Sequence, residues 1–228
     1  SSVEDIKNEI DLMRMVQHPN IIKCEDYFRQ GPYMCIILPY TRHKSIFTLI
    51  CQVYRSGMPE SLAVPMMYQM LQAVNYLHNM YICHRDIKPD NFLIFDPPDP
   101  RDGKIIKLTD FGFASSLSDG KKFKDTYGTD FYMAPEILSK KSYDQSVDIW
   151  SLGVTFYIML VGTLPIQKFL HNRDAGKQNI VKNGIDLSLL SKNSIEVRDL
   201  IERMCKLDPN ERITANDALN NPWVLQSL

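Results

Sequence analysis

Residues 84–91 read HRDIKPDN, which sets four charged side chains, one histidine and one amide in eight positions. Few local folds have a use for so dense a polar string unless it meets a charged ligand. The chain also carries Asp-Phe-Gly at 110–112 and Ala-Pro-Glu at 134–136, so that Asp110 follows Asp86 by 24 residues and Glu136 follows Asp110 by 26. One tripeptide carries little weight, whereas three in this order and at this spacing are specific. The chain has 26 basic and 27 acidic residues and a formal charge of -1, so no overall field draws it to nucleic acid or to an anionic membrane. Recognition of a charged ligand must be local, and residues 84–91 supply the means.

The remaining residues must build the elements that hold this string. Val3, Ile6, Ile10 and Met13 recur at helical spacing until His18-Pro19 breaks the pattern, which predicts a helix over about 3–16. IIKCEDYF (21–28) and YMCIIL (33–38), separated by Gly31-Pro32, read as an antiparallel strand pair that Pro39 closes. Ala63, Met67, Met70, Val74 and Leu77 form an apolar helical stripe that reads as core. FLIF (92–95) and KIIKLTD (104–110) read as two short strands joined by DPPDPRDG, where three prolines break the spacing of a calcium loop and leave a turn. Helices follow to the C-terminus, with no internal repeat and no linker long enough to separate a second domain. The apolar run at 147–162 is shorter than the roughly 20 residues of a membrane span and carries Asp148, Ser151 and Thr155, so it reads as a buried helix.

Five scattered cysteines without C-x-x-C spacing argue against a disulfide framework and a zinc site, and favour a reducing compartment. Nothing at the N-terminus reads as a signal peptide. His18, His43, His78 and His171 show no ligand spacing.

The three motifs together resemble those of the eukaryotic protein kinases, and the likeness runs from about Glu9 to Trp223. The resemblance implies an α+β fold: a mainly helical large lobe (41–228) and a truncated small lobe (1–40) of one helix and two strands. It implies transfer of the ATP γ-phosphate to protein serine or threonine, with Mg2+ and protein positive charge neutralising the phosphoryl oxygens. In that frame Asp86 accepts or orients the acceptor's proton, Lys88 neutralises the moving phosphate, and Asn91 and Asp110 hold the metal. Lys88 and Thr129, which would brace Asp86, match the serine/threonine type. Leu38 matches the gatekeeper, Pro39, Tyr40 and Thr41 the hinge, with Thr41 N–H as its donor, and Leu93 the floor under adenine. Arg85 matches a residue that binds a phosphate on the segment between Asp110 and Ala134. Thr126 and Tyr127 are the candidates to carry that phosphate, and Asp125 is an alternative carboxylate partner. Lys121, Lys122 and Lys124 read as a solvated face. Glu136 with Arg212, Asp148 and His84 match scaffold positions.

Glu9 matches the helix glutamate that pairs with the family's ATP-binding lysine, yet neither that lysine nor a G-x-G-x-x-G loop occurs in the chain. Two readings stay open: an excerpt of a normal kinase domain, or a pseudokinase-like interaction scaffold. Retention of Asp86, Lys88, Asn91 and Asp110 favours the excerpt, because a scaffold has no need of metal ligands. A P-loop NTPase is set aside for want of its phosphate loop. HRDIKPDNFL, YDQSVDIWSLGVTFYIML and RITANDALNNPWV are most similar to the calcium/calmodulin-dependent and calcium-dependent kinases. Any calcium-sensing region would lie outside these residues. The expected location is the cytoplasm, with the nucleus as the alternative.

Overall fold

The computed structural model describes residues 3–99, 102–117 and 122–226. Helix α1 (Val3–Met15) buries Ile10, Leu12 and Met13, and Val16 just beyond it joins the same core. Strands β1 (Asp26–Gln30) and β2 (Tyr33–Ile37) pair antiparallel across Gly31, with Asp26 opposite Ile37 and Gln30 opposite Tyr33. The first strand starts five residues later than the apolar run at 21 suggested. Ile21 and Ile22 are instead taken up by another ribbon: Ile22 N–H donates to Leu108 O at 2.8 Å, and Leu108 N–H donates to Asn20 O at 2.8 Å. Both isoleucines are fully buried there, which an edge position in the β1–β2 pair would not provide.

Ser45 caps helix α2 (Ile46–Gln52) by accepting from Thr48 N–H. All five residues of the predicted stripe are buried on helix α3 (Glu60–Asn79). Four short strands then frame the polar string: β3 (Ile82–Cys83), β4 (Phe92–Phe95), β5 (Ile105–Leu108) and β6 (Ser115–Ser116). β4 pairs with β5, Phe92 opposite Leu108, and β3 with β6, Ile82 opposite Ser116. The loop 84–91 therefore leaves one ribbon and enters the next, while residues 110–112 sit between the partner strands of the same two ribbons. Sheet pairing alone brings the two motifs side by side.

Helix α4 (Pro135–Leu138) leads to α5 (Ser146–Val161), which is buried on every face from Val147 to Leu160. Its polar residues find internal partners: Ser151 Oγ donates to Tyr132 O at 2.7 Å and Thr155 Oγ1 to Ser151 O at 2.9 Å. Among the described residues no helix is long and apolar enough to cross a membrane. Helices α6 (Arg173–Asn183), α7 (Ile195–Met204), α8 (Ala215–Leu219) and α9 (Pro222–Gln226) complete the helical lobe, α7 packing on α5 and α8 on α3. Arg212 joins α4 to this end of the chain: its Nη1 and Nη2 donate to the two Glu136 carboxylate oxygens at 2.5 and 2.7 Å, and its guanidinium lies 5.2 Å from the Trp150 ring. Removing one partner of such a buried bidentate pair costs about 3–5 kcal/mol. The loop after β4 is more than a turn, because Asp96 accepts from Arg42 and His43 and pairs with Lys104; residues 100 and 101 lie outside the described residues.

At Gly153, α5 packs tightly against the C-terminal end of α7. A Cβ there would stand 2.6 Å from Cys205 Sγ and 3.0 Å from Met204 Cβ. Alanine gains about 0.5–1 kcal/mol of helix preference over glycine, but overpacking costs about 1–3 kcal/mol. Gly153→Ala is expected to lower stability by about 1 kcal/mol net, a fall in Tm of about 2–4 °C, with Cys205→Ala recovering part of it. Thermal unfolding of the single and double variants checks this, and a raised Tm for Gly153→Ala would refute the tight contact.

Candidate active site

The loop 84–91 is fixed from beneath by a carboxylate on α5. Asp148 Oδ2 accepts from His84 N–H at 2.9 Å and from His78 Nε2 at 3.0 Å, and Oδ1 accepts from Arg85 N–H at 2.9 Å. Burial pushes the Asp148 carboxyl up, but the hydrogen bond and charge of His78 and the contact with His84 outweigh it and hold the group below its ordinary value. His84 is fully buried, with its ring edge-on to Phe111 at 5.2 Å and Nε2 3.2 Å from Thr109 O. Its burial depresses its pKa, so the imidazole is neutral and Nε2 carries the proton toward that carbonyl. Arg85 and Asp110 both take left-handed φ values of 66°. For non-glycine residues this strain is of order 1–3 kcal/mol and persists only where the surroundings enforce it.

Three residues converge on Asp86, whose side chain is buried. Thr129 Oγ1 donates to Asp86 Oδ1 at 2.9 Å; Lys88 Nζ and Asn91 Nδ2 donate to Oδ2 at 2.6 and 3.2 Å. Lys88 Nζ also donates to Thr129 Oγ1 at 2.9 Å, and Asn91 Nδ2 to the Asp86 carbonyl at 2.9 Å. Asn91 lies on the 3-10 turn Pro89–Asn91, which sets its side chain back over the start of the loop. Its backbone carbonyl accepts from Thr109 N–H at 2.9 Å, one residue before Asp110. The Asn91 side-chain oxygen accepts no hydrogen bond among the described residues.

Asp110 is exposed and accepts from Gly112 N–H at 3.3 Å. A methyl group on Gly112 would lie 3.3 Å from Asp110 Oδ1 and 3.7 Å from Glu9 Oε2, so the two carboxylates border one small space. Burial and the charge of Asp110 push the Glu9 carboxyl above its ordinary value, against the Phe111 N–H that lowers it. No cation pairs with Glu9 among the described residues, and no group of three His, Cys, Asp or Glu there is placed to hold a metal. The oxygen donors of Asp110 and Asn91 are nonetheless of the hard kind that magnesium takes alongside its waters.

Residues 41–45 run beside β4, with Ile94 N–H donating to Lys44 O at 3.0 Å. Thr41 Oγ1 donates to Ile94 O, Ser45 bridges Leu93, and the Thr41 N–H has no partner among the described residues. Tyr40 is almost wholly exposed.

Arg85 makes no ion pair among the described residues with Asp125, the alternative carboxylate partner. Its Nε donates to Phe113 O at 2.6 Å, and its guanidinium lies 4.6 Å from the Phe123 ring and 4.8 Å from the Tyr127 ring. Two aromatic rings, rather than a carboxylate, lie against the guanidinium. Thr126 and Asp125 are exposed. Lys122 and Lys124 are exposed, Lys122 with its ammonium 3.5 Å from Asp144; Lys121 lies outside the described residues. The reading from sequence missed His78, whose only signal is its place four residues after Val74 on the buried face of α3, and missed the rings around Arg85.

The family model for the protein kinase domain matches residues 1–224. The chain is 36% identical over 226 residues to the Serine/threonine-protein kinase H1 homolog of Danio rerio, covering 97% of this chain and 52% of that protein. It is 34% identical over 228 residues to Serine/threonine-protein kinase SRK2A of Physcomitrium patens, covering 99% and 64%. It is also 32% identical over 223 residues to Death-associated protein kinase 2 of Mus musculus, covering 97% and 59%. The chain thus spans about half to two thirds of the length of the relatives it matches.

The buried neutral histidine gives a pH dependence with a definite sign. Because the folded pKa of His84 lies below the ordinary 6.5, the unfolded chain binds more protons in acid, and stability falls as pH drops through 6.5. Half-buried His18 adds to the fall, its pKa lowered by burial and by Lys107, while Glu9 opposes it only in the carboxylate range. Denaturant unfolding at pH 7.5 and 5.5 is expected to show a loss of at most about 1.4 kcal/mol per pH unit for His84. His84→Gln should flatten the slope, and an unchanged slope would refute the neutral assignment.

Proposed function

This chain belongs to the eukaryotic protein kinase family, of the serine/threonine type, and from that premise we propose that its domain transfers the γ-phosphate of ATP to serine or threonine hydroxyls of proteins. The observation that carries the reading is the Asp86 carboxylate, held at both oxygens by Lys88, Asn91 and Thr129. In this proposal Asp86 receives or orients the proton of the acceptor hydroxyl, and its clamped geometry supplies the alignment that makes such help effective. Lys88 sets an ammonium beside the transferring group. Asn91 and Asp110 would hold Mg2+, and magnesium-ATP, when bound, supplies the phosphoryl group and the divalent charge that offsets its oxygens. Leu38, Pro39, Thr41 and Leu93 would receive adenine: the Pro39 carbonyl and the Thr41 N–H, which has no partner among the described residues, would meet its edge, and Leu93 would pack against its face.

The proposal assigns residues 1–40 to the small lobe and 41–228 to the large one. It also places the family's lysine-bearing strand and glycine-rich loop ahead of Ser1 in the natural protein. The facing carboxylates of Glu9 and Asp110 support this, because a cation between them would relieve their repulsion. A scaffold without catalysis would have no use for Asp86, Lys88, Asn91 and Asp110 in this arrangement. The free cysteines suit a reducing compartment such as the cytoplasm, and any calcium response belongs to regions outside these residues.

With the full-length protein and a protein substrate, Asp110→Ala is expected to abolish phosphate transfer. Asp86→Asn should lower kcat by about 10²–10⁴. The 228 residues alone should transfer little phosphate. Incorporation of labelled phosphate reports all three, and undiminished transfer by Asp110→Ala would remove the metal assignment.

A further inference from the structure

The side chain of Arg85 lies among a set of aromatic rings. Its guanidinium lies against Phe123 at 4.6 Å and Tyr127 at 4.8 Å, and its Nε donates to the Phe113 carbonyl at 2.6 Å. These rings are themselves braced. Phe113 stacks on Tyr127 with centroids 5.3 Å apart, and Phe123 leans on buried Tyr143 at 5.5 Å. Phe123 and Tyr143 also exchange backbone hydrogen bonds, at 2.8 and 3.0 Å. The cage is thus anchored to the strand-bound segment after Gly112 on one side and to the approach to α5 on the other.

The same short stretch reaches the Asp86 cluster. Gly128, with φ of 114°, lies so close to the loop that a Cβ would stand 2.7 Å from Arg85 O, and Thr129 then donates to Asp86. Tyr127, Gly128 and Thr129 therefore lie against Arg85 and Asp86 in step. Arg85 holds a left-handed backbone, its N–H fixed by Asp148, and the cage fixes its other end. A guanidinium suits this place because it is planar and weakly hydrated, so it offers faces to rings while its edge donates.

We infer that Phe123 and Tyr127 are positioning residues which, by caging Arg85, hold Asp86 and Thr129 in register without a phosphate on Thr126 or Tyr127. This rests on the kinase reading for its catalytic consequence, though not for the cage itself. Phosphate on this segment would order it through charge-assisted hydrogen bonds to an arginine. Here rings already flank that arginine and its Nε is taken by the Phe113 carbonyl, and no carboxylate pairs with it among the described residues.

The test uses the full-length protein. Phosphatase treatment and Thr126→Ala are each expected to leave kcat within about twofold. The double variant Phe123→Leu with Tyr127→Leu should lower kcat about tenfold or more, the scale set by one or two cation–π interactions, with KM for ATP nearly unchanged. Phe123→Tyr and Tyr127→Phe, which keep the rings, should restore kcat; the second also removes the hydroxyl a phosphate would need. Hydrogen exchange of the amides at 122–129 should quicken in the leucine variant alone. If that variant does not fold, Tyr127→Leu at the more exposed ring takes its place. Loss of activity on dephosphorylation, or wild-type kcat and exchange in the leucine variant, would overturn the inference. Absence of any transfer by the wild-type protein would instead refute the kinase reading, and the exchange measurement would still decide the cage.

Discussion

A carboxylate buried in the middle of a helical core must find donors, and Asp148 finds three. Its side chain is almost wholly inside the protein, on a helix surrounded by apolar side chains. An unpaired charge there would cost several kcal/mol, so the fold is stable only while His78, His84 N–H and Arg85 N–H stay in place. Two of these donors are backbone groups of the loop that carries Asp86. The loop cannot drift from α5 without stripping that charge of its partners. The same contacts hold Arg85 in a backbone conformation that it would otherwise leave. Core stability and site geometry are therefore one quantity at this point of the chain.

The Asp86 cluster is built outward from that anchor by residues of very different sequence distance. Lys88 and Asn91 arrive through a single 3-10 turn, whereas Thr129 comes from 43 residues away. With both carboxylate oxygens engaged, the side chain has one orientation to offer an incoming group, which is what preorganisation requires. The consequence is a dependence on the segment around Thr129, whose placement relies on Gly128 passing against the Arg85 carbonyl.

Some of this was legible in the residues and some was not. The stripe on α3 and the buried run of α5 were readable because burial imposes a period or its absence over many residues. The boundary of β1 was misread at Ile21 and Ile22, since an apolar pair declares that it will be buried but not against what; β5 was the partner. The site residues were legible through motif order, and the structure brings Asp86, Lys88, Asn91 and Thr129 together while setting Asp110 beside Glu9. The His78–Asp148 contact joins residues 70 apart and has no local signature. Phe123 and Tyr127 lie in KKFKDTYGTD, where flanking charges make rings look like incidental surface.

Arg85 is where these layers meet, and its chemistry explains why. Its backbone N–H belongs to the Asp148 anchor, its carbonyl lies under Gly128, and its side chain spans to Phe113, Phe123 and Tyr127. A lysine could serve the first two contacts equally well, since they are backbone. It could not serve the third, because an ammonium is compact and strongly hydrated and has no flat faces to lay on two rings while an edge donates to a carbonyl. Residues 124–127 of the segment after Gly112 are all exposed, so apolar burial does little to order that stretch. A weakly hydrated, planar cation that lies against two rings provides order locally, and it does so beside Asp86.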